Sequence, residues 1–195
     1  PTGPSGGSGS GPLYYLVASN AHADEKAKAS LLCDGTADNT DFATAIAACQ
    51  TFGVKLVLSS GNFEFAAPVA ITGPADVDIE TYEVYMEGQG PGRTTITLAT
   101  NQTSAFHISA VARVHLSDFR VVISGSSHGI SSAATQTSTA GYRSFWLSSF
   151  KNLQIVGPWD TTHTGWAFPL GSPFRSVFEN IDISDELRKL DVEVV

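Results

Sequence analysis

From Val54 onward apolar and polar residues alternate in short runs, separated by Gly, Pro, Asn and Asp. A period of two is what a strand covered on one face requires. The alternation predicts strands at Val54–Leu58, Asn62–Phe65, Val69–Ile71, Val77–Ile79, Val84–Met86, Thr95–Leu98 and Ala105–Ile108. Helical spacing appears earlier. Phe42, Ile46 and Cys49 fall at i, i+4 and i+7, with Phe52 a turn beyond, and Gly53 stands where a helix ends. Asp38 or Thr40 is placed to cap that helix, and Asp41 to sit in its first turn, where a negative charge is favoured. Further upstream Leu13–Val17 reads as a short strand, and Ser19 as the cap of a helix running from Asp24 to Leu32.

A repeat lies within the alternation. The pattern apolar–x–(Asn/Asp)–apolar–x–apolar occurs at Leu116–Val121, Phe150–Ile155 and Phe178–Ile183, at intervals of 34 and 28 residues. Variable spacing with a constant strand is the signature of a solenoid, in which each coil buries its apolar side chains on the next and insertions go into loops. Asp118, Asn152 and Asn180 then occupy one equivalent corner. Asp and Asn suit a corner because they tolerate left-handed backbone and hydrogen-bond to neighbouring amides. Coils about 4.8 Å apart would make a stubby rod of roughly 25–30 Å. The loop Gly88–Gly92 lacks phosphate-binding spacing and has no helix after it, so it reads as a turn between coils.

The stretch Leu31–Phe65 resembles the N-terminal cap of the pectate-lyase-like superfamily of right-handed parallel β-helices, in the version found in bacteriophage tail fibres and tailspikes. The resemblance is carried by Asp34-Gly35, by Asp38-Asn39-Thr40 and by the run from Gly53 through Gly61 to Phe63. It implies an all-β solenoid, a right-handed parallel β-helix with an N-terminal α-helical cap. Asp34, Gly35, Asp38 and Thr40 would be structural cap residues. The expected organisation is a Gly/Pro/Ser-rich stretch at 1–12, a strand and helical cap at 13–53, the β-helix at 54–184 and a charged segment at 185–195. That last segment reads as a further coil edge, a helix or the start of a next domain.

Composition narrows the function classes. The 195-residue chain carries a formal net charge of −8, and only 15% of its residues are charged. Nucleic acid is excluded as a partner by the lack of clustered Lys and Arg. No apolar run approaches the roughly 20 residues of a membrane-spanning helix, so membrane insertion is not expected. The chain begins PTGPSGG, without Met, and reads as a piece or processed form of something longer. Residues 1–12 place Gly at 3, 6 and 9, which is the collagen period in short form or else a flexible linker. The two cysteines, Cys33 and Cys49, are either bonded around the cap helix or two buried thiols.

Candidate chemistry is sparse. Asp76, Asp78 and Glu80 alternate and share one strand face, as a Ca²⁺ site or simply a solvated surface. The Asp-Asp and Gly-His-Gly motifs of polygalacturonase-like relatives are absent, and His107, His115, His128 and His163 have no metal-ligand spacing, so no catalytic residue, metal or cofactor is assigned. Trp159, Asp160, His163 and Trp166 are the carbohydrate-binding candidates, since a sugar stacks its apolar face on an indole and hydrogen-bonds through its hydroxyls. The alternative is that both indoles pack over a coil edge or against a neighbouring protomer. The resemblance implies a structural or receptor-binding segment of a phage tail fibre or minor tail protein in the virion. Its partners would be two further copies in a homotrimer, other tail proteins and a host surface polysaccharide. The alternative is a polysaccharide lyase or glycoside hydrolase on the same fold, and a bacterial cell-surface module stays open.

Overall fold

The computed structural model describes residues 13–72, 83–109, 113–132, 148–157, 166–171, 176–184 and 188–193. The 1–12 stretch, the strand expected at Val77–Ile79 and the acidic row Asp76, Asp78 and Glu80 lie outside them. The chain is mostly β, with parallel sheets curled into a half-barrel. Its elements in order are β1 (Leu13–Val17), α1 (Ala23–Lys26), β2 (Leu31–Leu32), α2 (Asn39–Phe52), β3 (Lys55–Leu58), β4 (Gly61–Phe65), β5 (Val69–Thr72) and β6 (Glu83–Glu87). There follow β7 (Thr94–Leu98), β8 (Ser104–Ser109), β9 (Arg113–Val122), β10 (His128–Ser132), β11 (Ser149–Val156), β12 (Trp166–Gly171), β13 (Val177–Ser184) and β14 (Arg188–Glu193). No helix of the described residues is long and apolar enough to cross a membrane.

The largest sheet runs β13-β11-β9-β6-β3-β1-β2, with β4 and β7 joined to it through β9. A second sheet runs β10-β8-β5, and β12 pairs with β14. Every pairing among the described residues is parallel. The register follows the apolar pattern: Leu56 faces Met86, Met86 faces Leu116, Leu116 faces Phe150 and Phe150 faces Phe178. A one-residue slip would turn every one of these inward side chains to solvent, so burial fixes the register. The three repeats noted above are three neighbouring strand segments, with Phe119, Leu153 and Ile181 in line and Val121, Ile155 and Ile183 in line.

The core is rich in phenylalanine. Phe42 on α2 meets Phe63 and Phe65 of β4 edge-on, with ring centroids 5.1 and 4.7 Å apart. Phe65 continues to Phe106 and Phe106 to Phe119. Near β13, Phe150 stacks on Phe178 at 5.0 Å. Helix α2 buries Phe42, Ala45, Ile46 and Cys49, and Gly53 ends it in the left-handed conformation at φ 62°. Phe52 departs from the expected apolar face: it is 72% exposed, because the buried stripe closes at Cys49. Cys33 and Cys49 are buried free thiols.

Two local expectations are corrected. The helix expected from Asp24 to Leu32 is the single turn α1, with His22 rather than Ser19 at its N-cap. Its remaining length is claimed by the sheet: Ser30 and Cys33 donate backbone N–H bonds to the Tyr15 and Val17 carbonyls, and Leu31–Leu32 pair with β1. Helix α2 has no side-chain cap from Asp38, whose backbone is already helical at φ −57°. The Thr40 hydroxyl donates back to the Ala37 carbonyl. The segment 188–193, within the charged C-terminal stretch, forms β14.

Candidate functional site

At Asp118, Asn152 and Asn180 the backbone turns left-handed, with φ of 63°, 49° and 52°. Left-handed backbone lets β9, β11 and β13 bend at the same level, and in an L-residue it is tolerated best where a short polar side chain bonds locally. The three side chains form a ladder: Asn152 Nδ2 donates to Asp118 Oδ1 at 3.0 Å, and Asn180 Nδ2 donates to Asn152 Oδ1 at 2.9 Å. A second row lies two residues on, where period two returns side chains to the same face. There Arg120 Nε donates to Gln154 Oε1, and Gln154 Nε2 donates to Asp182 Oδ2 at 2.8 Å.

The two rows form one side of an open groove of about 380 Å³, and Pro91 and Gly92 form its rim. The rim exists because the turn between β6 and β7 is folded over the corner of β9. Gly90 and Gly88 donate backbone N–H bonds to the Asp118 and Ser117 carbonyls. Gly88 is required there, since a Cβ would stand 2.2 Å from the Asp118 carbonyl oxygen. The groove therefore presents amides, two carboxylates and one guanidinium on rigid strands. Such a set both donates to and accepts from hydroxyl groups.

Of the aromatic candidates, Trp159, Asp160 and His163 lie outside the described residues. Trp166 opens β12, and only its backbone is described. The groove residues that sequence reasoning passed over, Arg120 and Gln154, occupy the variable position just before the last apolar residue of the repeat, as Asp182 does. That shared position was the available signal.

Of the expected cap residues, Asp38 bonds to β4 rather than to the helix end, and the other three make local contacts. Asp38 is fully buried, and its carboxylate accepts from the backbone N–H of Gly35 at 2.9 Å and of Glu64 at 2.8 Å. Its own N–H donates to the Glu64 carbonyl at 2.8 Å. Asp34 accepts from the N–H and hydroxyl of Thr36, which tightens the turn before the helix and holds its carboxyl below the usual range. Gly35, at φ 88°, lies where a Cβ would meet the Ser19 hydroxyl oxygen at 2.4 Å. Thr40 stays at the surface of the turn, bonded to Ala37.

Cys33, Asp38 and Asp41 bring one ligand atom each within 4.8 Å of one another. Burial, then the Asp38 charge, pushes the Cys33 thiol far up, and burial raises the Asp41 carboxyl. The thiol thus keeps its proton and bonds to Asp41, while both Asp38 oxygens are taken by backbone donors. This cluster joins turn to strand. Its spacing in sequence carried no metal signature, and only the folded turn brings it together.

No protein-family model, no curated protein and no solved structure matches the chain.

Proposed function

We propose that the chain is a right-handed parallel β-helix, capped by α2, that serves as a structural and receptor-binding segment of a phage tail fibre or minor tail protein. It would act in the virion as a homotrimer beside other tail proteins and hold a host surface polysaccharide against its coils. The observation that carries this reading is the pair of side-chain rows across β9, β11 and β13, Asp118–Asn152–Asn180 and Arg120–Gln154–Asp182, on the wall of an open groove. Parallel strands set successive side chains within each row about 4.8 Å apart, a repeat suited to an extended polyhydroxylated chain. Rigid strands also hold donors and acceptors in place without an ordering cost on binding.

The test is binding of purified surface polysaccharides, followed by calorimetry with the full chain, Arg120→Ala and Asp182→Ala, alongside light scattering for mass. The reading expects a trimer, and affinity for at least one polysaccharide reduced about tenfold or more in each variant, the loss of a charge-assisted hydrogen bond. A monomer that binds none of them overturns it. The competing reading, a polysaccharide lyase or glycoside hydrolase, would draw on Asp118 and Asp182, the two carboxylates of the groove. Release of shortened oligosaccharides by the wild type but not by Asp182→Asn would favour it.

A further inference from the structure

Upstream of the corner, the same sheet turns a different set of side chains outward. Tyr85 of β6 faces His115 of β9, and His115 faces Ser149 of β11, which in turn faces Val177 of β13. Ser149 Oγ lies 2.8 Å from His115 Nδ1, and Glu83 Oε1 lies 3.4 Å from His115 Nε2. The Tyr85 ring stacks on the imidazole at 4.3 Å and 11°, and Arg113 Nη1 holds Glu83 at 3.5 Å. Four residues, Glu83, Tyr85, Arg113 and Ser149, thus place the His115 imidazole between a hydroxyl and a carboxylate.

A second serine–histidine pair in the molecule supplies an internal comparison. His107 Nδ1 and Ser131 Oγ are 3.0 Å apart. Ser131, however, is buried, and its hydroxyl is spent on Ser104 Oγ at 2.8 Å. Ser149 is half-buried, and among the described residues its hydroxyl has His115 alone as side-chain partner. Only one tautomer suits its site: Nε2–H faces the Glu83 carboxylate and leaves Nδ1 as the acceptor for the Ser149 hydroxyl. At 3.4 Å the Nε2–Glu83 contact is an ion-pair contact and not a hydrogen bond, and the buried Nε2 has no other partner among the described residues. Catalytic contacts of this kind are commonly long before substrate binds.

We propose that Ser149, His115 and Glu83 form an acyl-transfer site that hydrolyses carboxylic esters with short acyl groups. Ser149 Oγ forms a bond to the ester carbonyl carbon while its proton passes to His115 Nδ1. The carbon–oxygen bond to the alcohol then breaks, and the leaving oxygen takes that proton. Water then bonds to the acyl carbon as the same nitrogen takes its proton. The carbon–oxygen bond to Ser149 breaks, Ser149 Oγ takes that proton back, and the carboxylic acid leaves. Glu83 stabilises the imidazolium that forms in each half-reaction, the role of the third member of such arrangements. Lys151, two residues beyond Ser149 on β11, brings an ammonium charge that acts on His115 while its Nζ is paired with Glu179 at 2.9 Å. Val177 and Tyr85, 49% and 40% exposed at either end of the row, offer apolar contact to an acyl group of a few carbons. The inference stands apart from the proposed function, since it uses neither the groove nor a glycan.

The full chain is treated with a fluorophosphonate, and labelled peptides are located by mass spectrometry. 4-Nitrophenyl acetate hydrolysis is followed in parallel. The expected result is one phosphonyl adduct on Ser149, absent in Ser149→Ala, retained in Ser131→Ala, and slowed about 10²-fold or more in His115→Gln, the scale of a lost general base. Labelling should rise with pH as the imidazole loses its proton, with a midpoint below the ordinary histidine value. Burial sets that direction against the opposing pull of Glu83, and the charges of Arg113 and Lys151 add to it. Tyr85 is the other titratable group against the ring, and burial keeps it protonated there. An unlabelled Ser149 in the wild type overturns the proposal, as does labelling at an equal rate in His115→Gln.

Discussion

Asn180 and Asn152, 28 residues apart in sequence, are joined by a 2.9 Å hydrogen bond between their side-chain amides. Each has left-handed backbone, and the same ladder continues from Asn152 to Asp118. The bond ties the neighbouring strands β11 and β13 at the point where both bend. A corner residue must therefore satisfy two demands at once, a positive φ and a side chain that bonds to the corner above or below.

Those demands separate in substitution. Asn152→Gly keeps the positive φ and loses the ladder, whereas Asn152→Ala loses both. The glycine variant should cost about 1 kcal/mol, one modest hydrogen-bonded link, and the alanine variant about 1–2 kcal/mol more for left-handed backbone. Chemical denaturation of the two variants checks this. Equal stability of the two would remove the backbone argument.

Phe42 is fully buried between α2 and β4 and touches three other phenylalanine rings. Phe42→Ala should destabilise the chain by about 3–5 kcal/mol, from lost transfer energy and the cavity left behind. Phe52, on the same helix but exposed, should tolerate alanine within about 0.5 kcal/mol. Thermal melts of the pair would test which end of the helix is anchored.

Asp38 acts as an acceptor for two backbone donors in a site with no solvent contact. Asp38→Ala leaves the Gly35 and Glu64 N–H groups without that acceptor, at about 1–3 kcal/mol each. Asp38→Asn keeps one acceptor oxygen and should fall between. Hydrogen exchange at Glu64 gives a local readout: its amide should lose protection in Asp38→Ala before the β9–β11 pairing does.

The Tyr15 hydroxyl donates to Glu25 Oε1 at 2.9 Å, and Ser60 donates to the same oxygen from both its N–H and its hydroxyl. Burial first, then the Glu25 bond and charge, pushes the Tyr15 phenol up to about 12 from 10.0. The folded state therefore holds this proton when the unfolded state has released it. The contribution is complete below pH 10 and declines as pH rises from 10 through about 12. Unfolding free energy should fall over that window in the wild type, and Tyr15→Phe should flatten this part of the profile. A slope unchanged by the substitution would dissociate the phenol from alkaline unfolding.

Much of the strand pattern was legible along the chain because burial on a sheet leaves a local trace. Leu116, Phe150 and Phe178 could be aligned by their spacing to Phe119, Leu153 and Ile181, and they face one another in the sheet. The helix expected up to Leu32 was misread for a comparable reason. Asp24–Leu32 has acceptable helical composition, but Ser30–Cys33 meet the open edge of β1, and backbone pairing there outweighs a weak local preference. Asp38 looked like a cap because it stands before a helix. Nothing in its neighbours showed that Glu64, 26 residues on, would supply a donor and an acceptor instead.

By itself, then, the sequence determined the period-two strands, the buried face of α2 and the corner positions, since each depends on side chains within a few residues and on solvent. Tertiary structure alone decided which strands touch. Arg120, Gln154 and Asp182 form a row, as do Tyr85, His115 and Ser149, because the turns between their strands have the lengths that bring them level. Loop length is free to vary at little energetic cost. The register that closes each loop is fixed by the packing of Leu56, Met86, Leu116 and Phe150 on the far side of the same strands.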